Sequence, residues 1–171
     1  MSVKFYNSIE QAVTDIINKI DGDIRLGAPL GLGKPNAFIN AMYQRISSMP
    51  ERCLHIFSAL SLTKPTASSD LETRFLQPFV ERVFGDYPDL NYVTDLKNNK
   101  VPNNISVNEF FLKSGDWLNN PNAQQHYISS NYTHIARDMA AKGINIICQA
   151  IAVREEPTGE KRYSLSCNSD L

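Results

Sequence analysis

The chain has 171 residues, 42% of them apolar and 20% charged. That composition fits one globular domain able to bury its own core and argues against a disordered chain. Basic residues number 17 and acidic residues 18, for a net charge of −1 with no basic cluster in either half, which disfavours nucleic acid as the main partner. No run approaches the roughly 20 apolar residues of a membrane span, and the first residues, Met1–Gln11, lack a basic-then-apolar signal pattern. Cys53, Cys148 and Cys167 are widely spaced and form no CxxC, which reads as reduced thiols in a cytoplasmic protein. Cys53 and His55 have no second ligand pair at a familiar zinc spacing.

Ser8 to Ile20 predicts a helix, with Val13, Ile16, Ile17 and Ile20 on one face and Ser8 with Gln11 as its capping box. Ile24 to Leu26 predicts a short strand running into the turn-rich loop Gly27–Pro35. A second helix is expected from Pro35 to Ser47, burying Phe38, Ile39, Met42 and Ile46. Cys53 to Leu60 reads as the next strand. Ser69 and Glu72 then open a helix whose stripe is Leu71, Phe75, Phe79 and Val83, interrupted by Pro78. A short strand is expected around Tyr92, then an exposed loop from Lys97 to Asn104. Val107–Leu112 is an apolar run of either type, and Ser114–Gln125 reads as loop. His126–Ser129 predicts strand, and Thr133–Lys142 predicts a helix closed by Gly143. Ile144–Val153, the most apolar strand, is expected at the centre of the sheet. Pro157-Thr158-Gly159 predicts a hairpin to a strand ending at Cys167. The alternation predicts an α/β domain: an open, mostly parallel sheet flanked by helices, with the last hairpin forming a mixed edge.

Two segments stand out chemically. Gly31-Leu32-Gly33-Lys34-Pro35 lies between a strand and a helix. It suits either a loop that brings backbone close to an anionic ligand or a tight turn that merely needs glycine. Pro35 rules out a Walker loop, and Asn36 replaces the third glycine of a dinucleotide fingerprint. The second segment is Ser129-Ser130-Asn131-Tyr132-Thr133-His134, with Arg137 and Asp138 one turn later. It is either part of a ligand site at a strand end or simply a helix cap with a surface pair. Ser130, His134 and Asp138 crowd the start of one helix, a poor basis for a converging catalytic triad, and no G-x-S-x-G elbow occurs. Glu109, set among apolar residues, is the carboxylate whose pKa burial would raise most; the plainer reading turns it to the surface. Phe110, Phe111 and Trp117 read as core, the cysteines as inert thiols, and Arg25 and Arg137 as salt-bridge partners.

In their order along the chain these blocks resemble a known family. They are Gly31-x-Gly33-x-Pro35; Glu109-Phe110-Phe111-Leu112; Tyr127 to His134 with Arg137-Asp138, Gly143-Ile144-Asn145 and Gln149; and Tyr163 to Asp170. Together they are similar to the N-terminal domain of the acetyl-CoA hydrolase/transferase family, whose relatives act on acetate, succinate and 4-hydroxybutyrate. The resemblance covers Gly22–Leu171, leaving residues 1–21 as an N-terminal helical segment. It implies two related CoA-transferase-type α/β domains with the active site between them. A glutamate carboxylate would exchange CoA between short-chain carboxylic acids, or to water, through an acyl anhydride and a glutamyl-CoA thioester. CoA esters are then substrates, and no metal or tightly bound cofactor is needed. The family's nucleophile and oxyanion loop lie in its C-terminal domain, which is expected beyond Leu171, so no catalytic residue carries over. What the resemblance assigns here is one wall of the cleft: Gly31, Gly33, Lys34 and Pro35 with Ser129, Ser130, Asn131 and His134. The expected partners are acyl-CoA, a short-chain carboxylate, the second domain and a further copy of the chain in a homo-oligomer. Neither a membrane nor nucleic acid is expected. The competing reading is a non-catalytic module that binds a CoA ester or another subunit; an independent hydrolase using Glu109 or Ser130 is a third.

Overall fold

The computed structural model describes residues 3–165, so Cys167 and the last part of the Tyr163–Asp170 block lie outside the described residues. Four parallel strands, β1 (Ile24–Leu30), β2 (Leu54–Ala59), β3 (Ile105–Glu109) and β4 (Ile146–Ile147), form the main sheet in the order β3-β2-β1-β4. The helices are α1 (Ile9–Lys19), α2 (Asn36–Ser47), α3 (Asp70–Val83), α4 (Asn91–Lys97), α5 (Pro121–His126) and α6 (Ile135–Ala141). The protein is therefore α/β with a parallel sheet, as the alternation of patterns implies. No helix among the described residues is long and apolar enough to cross a membrane.

Both faces of the sheet are covered, which is why its strands are nearly continuous apolar runs. On one face Ile24, Leu26, Leu54, Ile56, Ile105 and Val107 meet α1, α2 and α4. Helix α1 contributes Val13 and Ile17, so the N-terminal helix shares the core of the sheet; each such side chain contributes about 1.5–3 kcal/mol when fully buried. On the other face Phe57, Ala59 and Phe110 meet Ile135 and Met139 of α6. Ser8 caps α1 by accepting from the Gln11 amide (3.2 Å), and Gly143 closes the α6 region at φ 67°.

The chain steps outward from β1 to β2 to β3, then returns to place β4 on the far side of β1. This reversal makes the gap between β1 and β4 the topological switch point, where open α/β sheets bind ligands beyond the strands' carboxyl ends.

Several local expectations are corrected. Tyr92 lies in helix α4, where Tyr92, Val93 and Leu96 are buried together; periodicity does not separate helix from strand over so short a run. Ser114–Gln125 is not all loop, because Asn120 caps α5 and Pro121 occupies its first turn. His126 ends that helix, and Ile128 leaves it by donating its amide to the Glu109 carbonyl (2.9 Å) without forming a strand. Ile144–Val153 is not the central strand. Only Ile146 and Ile147 join the main sheet, pairing with Leu26 and Gly27, and β4 is an edge with Ile147 62% exposed. The central position belongs to β1 and β2, since partner choice is set by the whole topology rather than by local hydropathy. The Pro157–Gly159 hairpin forms, but as a separate antiparallel pair, β5 (Ala152–Glu155) with β6 (Lys161–Ser164), and not as a mixed edge of the main sheet. Finally, the apolar stripe of α3 faces outward: Leu71 is 79% and Phe75 81% exposed, and no α3 residue is buried. Periodicity identified the helix and its face but carried no information about what covers that face.

Candidate functional site

The two segments singled out in the sequence both lie at the carboxyl ends of the sheet. Gly31–Pro35 follows β1 as a single tight turn, Gly31–Gly33, leading into α2. Gly31 is buried at φ 56°, a left-handed conformation that glycine adopts at least cost. The Gly33 carbonyl accepts from the Ala150 amide of the loop after β4 (2.8 Å), which ties the turn across the switch point. Pro35 stands at the N-cap of α2.

Lys34 does not extend a positive charge into solvent. It is 4% exposed, and its Nζ donates to the Ala59 carbonyl and, at 3.3 Å, to that of Leu60, where β2 ends. Leu60 itself sits at φ 42°, rare for a non-glycine residue. Close by, Glu109 at the end of β3 is 5% exposed and accepts a hydrogen bond from the Ser61 hydroxyl. Ser61 in turn shares a 2.6 Å hydrogen bond with the buried Tyr92 hydroxyl. Burial raises the Glu109 pKa, opposed by the Ser61 bond and by the positive charge of Lys34. Burial likewise pushes the Tyr92 phenol well up, with the Glu109 charge adding to it. Glu109 is thus the buried carboxyl, and its surface-facing reading is overturned.

Ser129–His134 follows Ile128, whose amide is held by the Glu109 carbonyl at the end of β3, and leads into α6. Ser129, Asn131 and His134 are exposed and Ser130 is half-buried. Asn131 Oδ1 accepts from the amide (3.1 Å) and hydroxyl (2.6 Å) of Thr133, a local turn. Ser130 donates to Asp138 (2.5 Å) without an intervening histidine. That bond, with Arg137 at 3.0 Å, holds Asp138 below the usual carboxylate range. The arrangement is therefore a hydroxyl fixing a carboxylate, and no Ser-His-Asp relay. In the sheet, β2 separates the end of β1, which the glycine turn follows, from the end of β3, beside which Ser129–His134 lies.

The remaining candidates have structural roles. Arg25 holds the Lys142 carbonyl and Asp23 at the opposite end of β1. Phe110 is buried against Phe57 at 6.0 Å, whereas Phe111 is half-exposed. Burial pushes the Cys148 thiol up to about 12, which leaves it inert at neutral pH. Among the described residues no group of His, Cys, Asp and Glu is placed to hold a metal ion. Sequence reasoning missed Ser61 and Tyr92. Neither sits in a recognisable pattern, and they meet Glu109 only through the fold.

On the outer side of β3, helix α5 closes a further recess. Asn120 fixes it by donating to the Leu96 carbonyl (2.8 Å) while its Oδ1 accepts from the Ala123 amide (2.8 Å). Glu109 faces this recess together with Asn122 and His126.

Searches against protein-family models, curated proteins and solved structures find no match to this chain.

Proposed function

We propose that the chain is the N-terminal α/β domain of a cytoplasmic acyl-CoA transferase or hydrolase and forms one wall of its cleft. The observation that carries this reading is the Gly31 turn at the switch point, with the Ser129–His134 segment at the same end of the sheet beside β3. The positive-φ Gly31 turn, the β4 loop bonded to it and the exposed Ser129–His134 segment all lie at the carboxyl ends of an open parallel sheet. The linked sequence blocks supply the chemistry.

In this reading a glutamate on a second domain attacks the thioester carbonyl of an acyl-CoA. The C–S bond breaks, CoA leaves as thiolate, and an acyl-glutamyl anhydride remains. The thiolate then attacks the glutamyl carbonyl of the anhydride, releasing the first carboxylate and leaving glutamyl-CoA. An incoming carboxylate repeats the steps in reverse, or water hydrolyses the thioester. Such covalent catalysis divides one difficult step into easier ones. The present domain contributes close backbone approach at Gly31 and Gly33 and polar contacts from Ser129, Asn131 and His134. Lys34 holds the turn against β2.

The test is chromatographic. The chain is mixed with acetyl-CoA, with and without succinate, and succinyl-CoA, acetate and free CoA are quantified beside an equilibrium binding measurement. Saturable acetyl-CoA binding without turnover is expected. Absence of binding overturns the reading. Turnover lost in Glu109→Gln places the nucleophile in this domain and overturns it as well.

A further inference from the structure

The recess beside α5 is independent of the CoA reading. Its inner part has a volume of about 10 Å³, room for one water-sized group. Its walls are mostly apolar, and its polar side chains are Glu109, Asn122, His126 and the half-exposed Tyr127. Asn122 Oδ1 is buried and accepts no hydrogen bond from the described residues, an arrangement that costs about 1–3 kcal/mol unless a donor arrives. The recess shares Leu112 and Trp117 with a wider groove of about 380 Å³ that Leu118 also lines. The rim is braced by Gln124, which donates to the Leu118 carbonyl. A narrow polar end leading into a broad apolar groove is the general form of a small-molecule site.

The geometry points to a binding site for a neutral alcohol: its hydroxyl enters the recess between Glu109 and Asn122, and its aliphatic or aromatic body lies along Leu112, Trp117 and Leu118. The hydroxyl donates to Asn122 Oδ1. It has the single heavy atom that the recess admits, and a hydroxyl oxygen can accept from whichever neighbour bears a proton. A carboxylate head is disfavoured because it brings a charge into an apolar recess beside another carboxyl group and offers Asn122 no donor. An ammonium head would carry a full desolvation penalty, and burial favours the neutral form of Glu109.

Trp117 is the only tryptophan in the chain, so its emission reports this site directly. The experiment titrates the protein with n-hexanol, n-hexanoate and n-hexylammonium at about pH 8 while following that emission. A saturable change with n-hexanol is expected, with the two ions binding at least about tenfold more weakly. Asn122→Leu should weaken n-hexanol by about tenfold or more. Leu118→Asp, at a residue 72% exposed and therefore harmless to folding, should weaken it comparably by placing a charge in the groove. A non-saturable response, equal binding of hexanoate, or unchanged affinity in Leu118→Asp overturns the proposal. Tighter binding of n-hexylammonium also overturns it, assigning the recess to a cation on the Glu109 carboxylate.

Discussion

Replacing Lys34 with methionine isolates the role of the buried ammonium. Methionine keeps most of the side-chain volume, so the core loses little packing. The change removes the donor that the Ala59 and Leu60 carbonyls share and the positive charge that counters burial of Glu109. Each hydrogen bond to a charged group contributes about 1.5–3 kcal/mol. Part of that is recovered because the ammonium no longer has to be desolvated, and part because Glu109 can take up a proton. The expected net loss is about 2–4 kcal/mol. For a domain of this size a 3 kcal/mol loss lowers Tm by about 6–12 °C. Urea denaturation followed by circular dichroism measures it, with an unchanged m-value showing that the unfolded ensemble is the same. In the double variant Lys34→Met/Glu109→Gln the losses should be non-additive by about 1 kcal/mol, since the two groups share one electrostatic neighbourhood. A single-variant loss under about 0.5 kcal/mol refutes the reasoning. It would mean that the ammonium reaches water and is available to a ligand, reviving the anion-binding reading of the glycine loop.

Glu109→Gln should change the pH dependence of stability in a defined direction. The folded protein holds the Glu109 proton to higher pH than the unfolded chain. Stability is therefore full below the unfolded carboxylate pKa and falls as pH rises toward the raised folded value, by at most about 1.4 kcal/mol per pH unit. The glutamine variant should lose that component; superimposable stability profiles for the two proteins across this range contradict it. Gly31→Ala should cost about 1–2 kcal/mol through backbone conformation alone, because the added Cβ would meet only Leu62 Cδ1 at an ordinary 3.7 Å; an unchanged urea midpoint argues against the left-handed turn. Leu71→Lys/Phe75→Lys on the exposed face of α3 should alter stability by less than about 0.5 kcal/mol while reducing self-association and dye binding to apolar surface. Sedimentation velocity decides it: a wild-type chain that stays monomeric at all concentrations removes the basis for the stripe as a sticky face.

What the sequence made legible follows from the range of the forces involved. Caps and periodic faces are local, so Ser8, Ser69 and the stripes of α1, α2 and α3 could be read directly, as could the hairpin around Pro157–Gly159. Even there the detail moved: Glu72 does not reach back to Ser69 as a capping box would, but bonds the Ser68 amide (2.7 Å) and hydroxyl (2.6 Å). Relations between elements were much less legible. Ile144–Val153 is apolar enough for a central strand, yet in the fold it meets the sheet at the edge of β1 opposite β2, where only two residues join as β4. The polar cluster shows the same limit. Lys34, Ser61, Tyr92 and Glu109 belong to four separate segments, and each alone has a bland reading. Brought together, they compensate one another. An ammonium supplies the end of β2, the Ser61 hydroxyl, itself bonded to Tyr92, supplies Glu109, and the carboxyl group is kept buried where an isolated charge would be expelled. The glycine turn therefore rests on a buried polar support, and its shape depends on residues up to 75 positions away in sequence, from Lys34 to Glu109. A substitution at Glu109 should consequently reach the candidate cleft through Lys34 and the end of β2, even where no ligand touches Glu109 itself.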